Sequence, residues 1–105
     1  MALEELKPRV RQYLKRFEKI EPKRWTVEGT TMELMTEVGD LTELILRKEY
    51  YKQRKANNLD YQISDELADI LFIMLHLADR YKIDLDDSFE QMLKLLDEKL
   101  KSRGV

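Results

Sequence analysis

Apolar residues recur at three- and four-residue spacing in four separate stretches of the chain, as in amphipathic helices. The first stretch covers residues 6–20, with Pro8 near its first turn, and Pro22 ends it because the residue before proline disfavours the α region. The second stretch begins at residues 30–33, where Thr30 and Glu33 have the spacing of a capping box, and extends to about Arg54. Two amphipathic helices are therefore predicted in the first half of the chain.

A polar loop precedes the third stretch, for which Ser64 is the expected N-cap. Residues 67–77 are apolar on almost every side, so we expect this helix to be the central one. Asp86 or Asp87 should cap the fourth helix, and Gly104 lies just past its end. Short connections favour antiparallel neighbours, so the sequence predicts an all-α protomer built as a four-helix bundle.

Length and composition exclude several classes of function. A chain of 105 residues fits one compact domain, residues 1–105. The formal net charge of -2 provides no basic field for DNA or RNA, and the absence of cysteine excludes thiolate nucleophiles and thiolate metal sites. No apolar run is long enough to span a membrane, and the N-terminus lacks an apolar signal core. We therefore expect a cytoplasmic protein without nucleic-acid or membrane partners.

Two acidic pairs, Glu37 with Asp40 and Glu66 with Asp69, have i,i+3 spacing on the second and third predicted helices. Residues at this spacing share a helix face, with Cβ atoms about 5–6 Å apart. One such pair is usually a solvated face, but two pairs in apolar sequence should bring carboxylates toward the interior, where uncompensated charge is unfavourable. A hard divalent cation would supply the counter-charge. Oxygen ligands favour Mg²⁺, with Mn²⁺ as a plausible substitute.

The acidic motifs at residues 37–43 and 65–71, followed by Ile-Asp-Leu at residues 83–85, resemble the MazG-like branch of the all-α nucleoside triphosphate pyrophosphohydrolases. The resemblance covers roughly residues 25–103. It implies cleavage of the α–β phosphoanhydride of (d)NTPs to (d)NMP and pyrophosphate. It also implies Mg²⁺ binding by the four acids of the pairs, Glu37, Asp40, Glu66 and Asp69. Asp40 stands where the family usually has glutamate.

The expected mechanism is metal-assisted hydrolysis with water as the nucleophile and either Glu37 or Glu66 as the general base. Four further residues are candidates for substrate binding, namely Trp25, His76, Lys99 and Arg103. Trp25 could stack on a nucleobase or simply pack in the core, and His76 could meet the substrate or be a hydrogen-bonded core histidine. Lys99 and Arg103 match basic positions of the family's C-terminal helix, although most lysines and arginines face solvent.

Two other functions remain open from the sequence. One is a phosphoribosyl-ATP pyrophosphohydrolase, which shares the acidic helix pairs, and the other is a non-catalytic helical oligomerisation module. We expect the chain to assemble with copies of itself, because four short helices of one chain can hardly cover a helix that is apolar on every side. The sequence therefore predicts a homodimer or homotetramer.

Overall fold

A computed structural model describes residues 2–51 and 58–105 of the chain. Four α-helices lie in these ranges: α1 (Lys7–Glu18), α2 (Val27–Leu46), α3 (Leu59–Arg80) and α4 (Leu85–Ser102). A 3₁₀ helix (Leu3–Leu6) precedes α1, and a π-helical turn (Arg47–Tyr51) continues α2. The described ranges contain no strand, which confirms the prediction of an all-α fold with four helices.

The start of α2 differs from the prediction. Thr26 is the N-cap, and its hydroxyl accepts a hydrogen bond from the backbone N–H of Gly29 at 3.2 Å. Thr30 lies fully buried inside the helix, and Glu33 pairs with Arg24 instead of capping. The predicted capping box was therefore wrong. Both threonines are competent caps locally, and the choice between them depends on where the preceding segment packs.

The predicted starts of α3 and α4 were also displaced. Ser64 lies inside α3, because Leu59 and Ile63 are both partly buried and extend the apolar face of the helix by one turn toward its N-terminus. Asp84 caps α4 by accepting from the backbone N–H of Asp87 at 3.0 Å, so neither Asp86 nor Asp87 is the cap.

The end of α4 follows the prediction, while the predicted end of the second helix cannot be compared. Gly104 adopts a positive φ of 81° just past α4. The backbone N–H groups of Gly104 and Val105 then donate to the carbonyls of Lys101 and Leu100, as in a Schellman motif. In α2 the α-helical part ends at Leu46, and Arg54 lies outside the described residues.

The core forms where α3 packs against α1 and α2. Val10 and Leu14 of α1 are buried together with Leu75 of α3, and Ile73 of α3 is 2% exposed. Trp25 and Phe72 pack on the edge of this cluster. α3 is therefore the central helix, as its sequence predicts, and its packing against α2 aligns the two acidic motifs.

α4 packs chiefly against the N-terminal 3₁₀ helix. Asp86 accepts hydrogen bonds from the backbone N–H groups of Leu3 and Glu4, both at 3.0 Å, which anchors the start of α4. The apolar side chains along the helix are 43–54% exposed, namely Phe89, Met92, Leu93, Leu96 and Leu100. The radius of gyration is 17.2 Å, against about 13 Å for a compact domain of this length. One protomer thus leaves the predicted apolar face of α4 uncovered.

None of the helices in the described ranges is both long enough and apolar enough to cross a membrane.

Two glycines of α2 should respond in opposite ways to alanine. A Cβ at Gly29 would lie 2.4 Å from the carbonyl oxygen of Arg24, whereas a Cβ at Gly39 would have nothing within 4 Å. Within the described residues, no other part of the chain packs closely against Gly39. We expect Gly29→Ala to lower the free energy of unfolding by about 1–3 kcal/mol through overpacking. Gly39→Ala should raise it by up to about 1 kcal/mol through helix propensity.

Chemical denaturation of the two variants and the parent measures these changes directly. Equal stabilities of the two variants would contradict the close packing of the Arg24 backbone on α2.

Candidate active site

Three acidic side chains converge between α2 and α3. Glu37 and Asp40 share one face of α2, Glu66 projects from α3, and each offers a carboxylate oxygen within 4.8 Å of the others. The i,i+3 spacing places the first two together, and the packing of α3 on α2 adds the third. Three oxygens this close form a ligand group that a divalent cation could occupy.

The electrostatics of this group fit such a cation. A hydrogen bond with Glu66, desolvation and a hydrogen bond with Glu33 raise the pKa of Glu37 to about 8. Without a cation, the Glu37 carboxyl therefore keeps a proton at neutral pH, because proximity to Glu66 disfavours two ionised groups. When both carboxyls are ionised, the buried Glu37 Oε2 and Glu66 Oε2 have no hydrogen-bond donor among the described residues. A positive charge between the carboxylates would satisfy both oxygens.

A cleft of about 420 Å³ opens beside the acidic group. Its walls come from α1, α2, α3 and the segment between α1 and α2, and the lining side chains are Tyr13, Phe17, Arg24, Trp25, Glu33, Glu37, Ala68, Asp69, Phe72 and Ile73. Glu33, Glu37 and Asp69 give the cleft an acidic wall. The remaining surface is mostly aromatic and apolar, so the cleft can receive a ligand with one charged part and one flat part.

The aromatic wall is centred on Trp25. The Trp25 ring lies 5.7 Å from Phe17 and 5.6 Å from Phe72, measured between ring centroids. Its buried Nε1 has no acceptor among the described residues. A buried indole N–H ordinarily has a partner, so a hydrogen-bond acceptor on a bound ligand would complete this site.

The comparisons with known proteins agree with this geometry. A family model for the MazG nucleotide pyrophosphohydrolase domain matches residues 25–104, which is most of the chain. The chain belongs to the MazG nucleotide pyrophosphohydrolase domain family. No curated protein and no solved structure gave a significant match. The family membership confirms the resemblance inferred from the acidic motifs and supports nucleotide pyrophosphohydrolase activity.

Asp69, the fourth acid of the two MazG-like motifs, lies on the wall of the cleft and is not one of the three converging carboxylates. Desolvation, followed by the charges of Asp65 and Glu66, raises its pKa, while the charge of Arg24 acts in the opposite direction. Asp69 therefore lies in an electrostatic environment that favours a nearby cation, one turn further along α3 than Glu66.

The candidate substrate residues are placed differently from one another. Trp25 lines the cleft. His76 does not line it and packs edge-on against the Trp25 ring, with 5.9 Å between the ring centroids. Burial lowers the pKa of His76, so its imidazole is neutral at pH 7 and packs as a support for Trp25. Lys99 on α4 and Arg103 at its C-cap are exposed and line neither of the clefts beside the acidic group.

Two charged residues of the cleft were missed by the sequence reasoning. Arg24 projects between Trp25 and Glu33, with Nη2 3.0 Å from Glu33 Oε1. Glu33 was assigned to a cap, although its position four residues before Glu37 places it on the same helix face. Arg24 had only its neighbour Trp25 as a signal in the sequence.

A second cleft of about 260 Å³ lies on the other side of the acidic group and includes Asp40, Arg47 and Glu66 in its lining. The converging carboxylates therefore lie between two clefts, so a ligand that crosses them could place its two ends in different surroundings.

The raised pKa of Glu37 predicts how stability depends on pH without metal. An ordinary glutamate has a pKa of 4.5, and folding raises this value to about 8. The stabilisation from this group is therefore complete below pH 4.5 and is lost as the pH rises through 8. In the presence of a chelator we expect the Tm to fall less over this range in Glu37→Gln than in the parent.

Thermal unfolding monitored by circular dichroism at several pH values tests this expectation. Glu98→Gln, on the exposed surface of α4, is the control and should keep the parent's pH dependence. The same dependence in Glu37→Gln and the parent would show that Glu37 does not hold a proton in the folded chain.

Proposed function

We propose that this chain is a Mg²⁺-dependent hydrolase that cleaves the α–β phosphoanhydride of (d)NTPs to (d)NMP and pyrophosphate. The observation that carries the proposal is the convergence of Glu37, Asp40 and Glu66 within 4.8 Å beside a cleft with an aromatic wall. An oligomerisation module would need neither feature. The family membership supports the same class of reaction.

Glu37, Asp40 and Glu66 would hold the cation, with Asp69 approaching it from the cleft. An all-carboxylate ligand set suits Mg²⁺ or Mn²⁺ better than softer metals. When bound, the cation would supply charge neutralisation for the phosphate oxygens and the pyrophosphate leaving group. It would also replace the proton on Glu37, which removes the electrostatic cost of bringing the carboxylates together.

Water is the nucleophile in this proposal. No serine, threonine or cysteine side chain lines the cleft within the described ranges, so these three nucleophiles are not available there. Glu37 and Glu66 are the two candidates for the base that takes the proton from water, since each has a buried oxygen without a partner. The carboxylate that acts as base would orient the water and take its proton, while the water oxygen bonds to phosphorus and the bond from phosphorus to the pyrophosphate leaving group breaks.

The aromatic wall would receive the nucleobase. Phe17, Trp25 and Phe72 provide flat apolar surface, and Trp25 Nε1 provides a hydrogen-bond donor for a base or sugar oxygen. This arrangement favours a nucleotide over an inorganic polyphosphate, because the polyphosphate has no group that would use the aromatic surface.

We also propose that the chain assembles with at least one further copy of itself. The chain exposes 8575 Å² of surface, about 2,400 Å² more than the roughly 6,200 Å² expected for a compact monomer of 12.7 kDa. Obligate homodimer interfaces bury about 2,000–5,000 Å² in total, or about 1,000–2,500 Å² per chain, so a second copy of the chain can account for the excess. Apolar side chains that such a copy could cover lie on α4 and also on α3, where Leu67 and Met74 are exposed.

The enzyme proposal predicts a specific phenotype for Asp69→Asn, which keeps the shape of the side chain but removes its charge. We expect hydrolysis to fall at least about tenfold while the fold is retained. In chelator the variant should melt at a higher temperature than the parent, because repulsion with Asp65 and Glu66 is relieved. It should also gain less stability from millimolar Mg²⁺.

Pyrophosphate release from a panel of NTPs and dNTPs measures the activity, and thermal unfolding with and without Mg²⁺ measures the metal response. Asp97→Asn on α4, where Asp97 pairs with Lys101 at the surface, is the matched control and should behave as the parent. Unchanged activity and unchanged metal response in Asp69→Asn would exclude a role for Asp69 at the metal site.

The assembly proposal predicts a molar mass of at least two protomers at micromolar concentration by light scattering. Leu96→Glu puts a charge into the apolar face of α4 and should reduce the mass to that of one protomer. Leu95→Glu is the control, because Leu95 is 68% exposed and lies outside that face. A monomeric parent protein would show that the apolar face of α4 is not an interface between copies.

A further inference from the structure

Arg24 occupies a distinctive position in the cleft. Among the described residues that line it, Arg24 is the only lysine or arginine. Its guanidinium carbon lies 5.1 Å from the centre of the Trp25 ring, and its two terminal nitrogens pair with Glu21 at 3.1 Å and Glu33 at 3.0 Å. The positive charge therefore lies between the aromatic wall and the acidic wall.

A triphosphate cannot easily enter this cleft without positive charge beyond that of one divalent cation. Glu33, Glu37 and Asp69 line the cleft, and the phosphate chain of a nucleotide brings several more negative charges. Arginine is well suited to such a ligand, because its planar guanidinium can donate two parallel hydrogen bonds to phosphate oxygens and can stack on an aromatic ring at the same time.

We propose that Arg24 binds the phosphate chain of the nucleotide and exchanges its bond with Glu33 for phosphate oxygens when the substrate enters. This inference rests on the proposed function. The exchange is feasible because the side chains of Arg24 and Glu33 are 40% and 24% exposed, and exposed ion pairs of this kind are weak. The second pair, with Glu21, can keep the guanidinium directed at the cleft during the exchange.

The backbone of Arg24 is fixed by its contact with α2. Because Gly29 has no side chain, the Arg24 carbonyl can pack against the first turn of α2, where a Cβ would lie only 2.4 Å away. The Thr26 cap holds the same segment, since its hydroxyl also donates to the carbonyl of Lys23 at 3.1 Å. A fixed backbone with an adaptable side chain is what a phosphate-binding arginine needs.

The test uses Trp25, the only tryptophan of the chain, as a fluorescent reporter inside the cleft. The full chain is titrated, with Mg²⁺ present, with a nucleoside triphosphate whose α–β bridge is a non-hydrolysable methylene group, and separately with the corresponding nucleoside. We expect Arg24→Gln to weaken binding of the triphosphate at least about tenfold and to leave binding of the nucleoside unchanged. Arg80→Gln is the matched control, because Arg80 also lies over an aromatic ring, that of Tyr81, at the far end of α3.

Each outcome separates phosphate binding from a purely structural role. If Arg24→Gln weakened the nucleoside as much as the triphosphate, Arg24 would only support Trp25, and the proposal would be overturned. Equal triphosphate affinities of the parent and Arg24→Gln would overturn it as well. Should Arg24→Gln fail to fold, Arg24→Lys serves in its place, because it keeps the charge and loses the paired donors. An affinity for the triphosphate at least about threefold weaker supports the proposal, and an unchanged affinity overturns it.

Pyrophosphate release distinguishes this inference from the proposed function. A parent protein that binds the triphosphate analogue through Arg24 but hydrolyses none of the NTPs or dNTPs would contradict the hydrolase proposal and leave the phosphate-binding role in place. If the parent hydrolyses them and Arg24→Gln does not weaken triphosphate binding, the hydrolase proposal is supported and the phosphate-binding role of Arg24 is contradicted. A parent that binds no triphosphate at all would overturn both.

Discussion

Repulsion among Glu37, Asp40 and Glu66 opposes the packing of α2 on α3, since their carboxylate oxygens lie within 4.8 Å of one another. Ile73 of α3 and Thr30 of α2 are almost completely buried, and the packing of α2 on α3 offsets this repulsion. In the absence of metal, the raised pKa of Glu37 relieves the repulsion by keeping one proton in the group. Stability, protonation and the proposed metal binding are therefore linked at a single place in the fold.

Trp25 connects this acidic group to the core. One side of the ring packs with Phe72 against the cluster of Val10, Leu14 and Leu75, and His76 supports it from behind. Another part of the same residue lines the cleft. A change at Trp25 should therefore affect both the packing of α1 on α3 and the shape of the proposed nucleotide site. Its role in function is best measured by ligand binding, and not only by replacing the side chain with a smaller one.

The cleft and the uncovered apolar face of α4 lie in different parts of the protomer, and the reason is the place where α4 is anchored. Asp86 ties the start of α4 to the backbone of Leu3 and Glu4, and the apolar side chains further along the helix remain exposed. All residues that line the principal cleft belong to α1, α2, α3 and the segment between α1 and α2. Association through α4, as proposed, would thus enlarge the small core without requiring any rearrangement of the cleft.

Local sequence was enough to predict the features that depend on helical period: four helices, the apolar face of α4, its glycine terminus and the shared helix face of each acidic pair. It misplaced the starts of α2, α3 and α4, because several neighbouring residues can cap a helix and local sequence does not choose among them. Only the tertiary structure decided that Thr26 caps α2, that Glu33 and Arg24 enter the cleft, and that Asp69 stands apart from the other three acids. The reason is that these positions depend on how α1, α2 and α3 cross, and side chains far apart in sequence set that geometry.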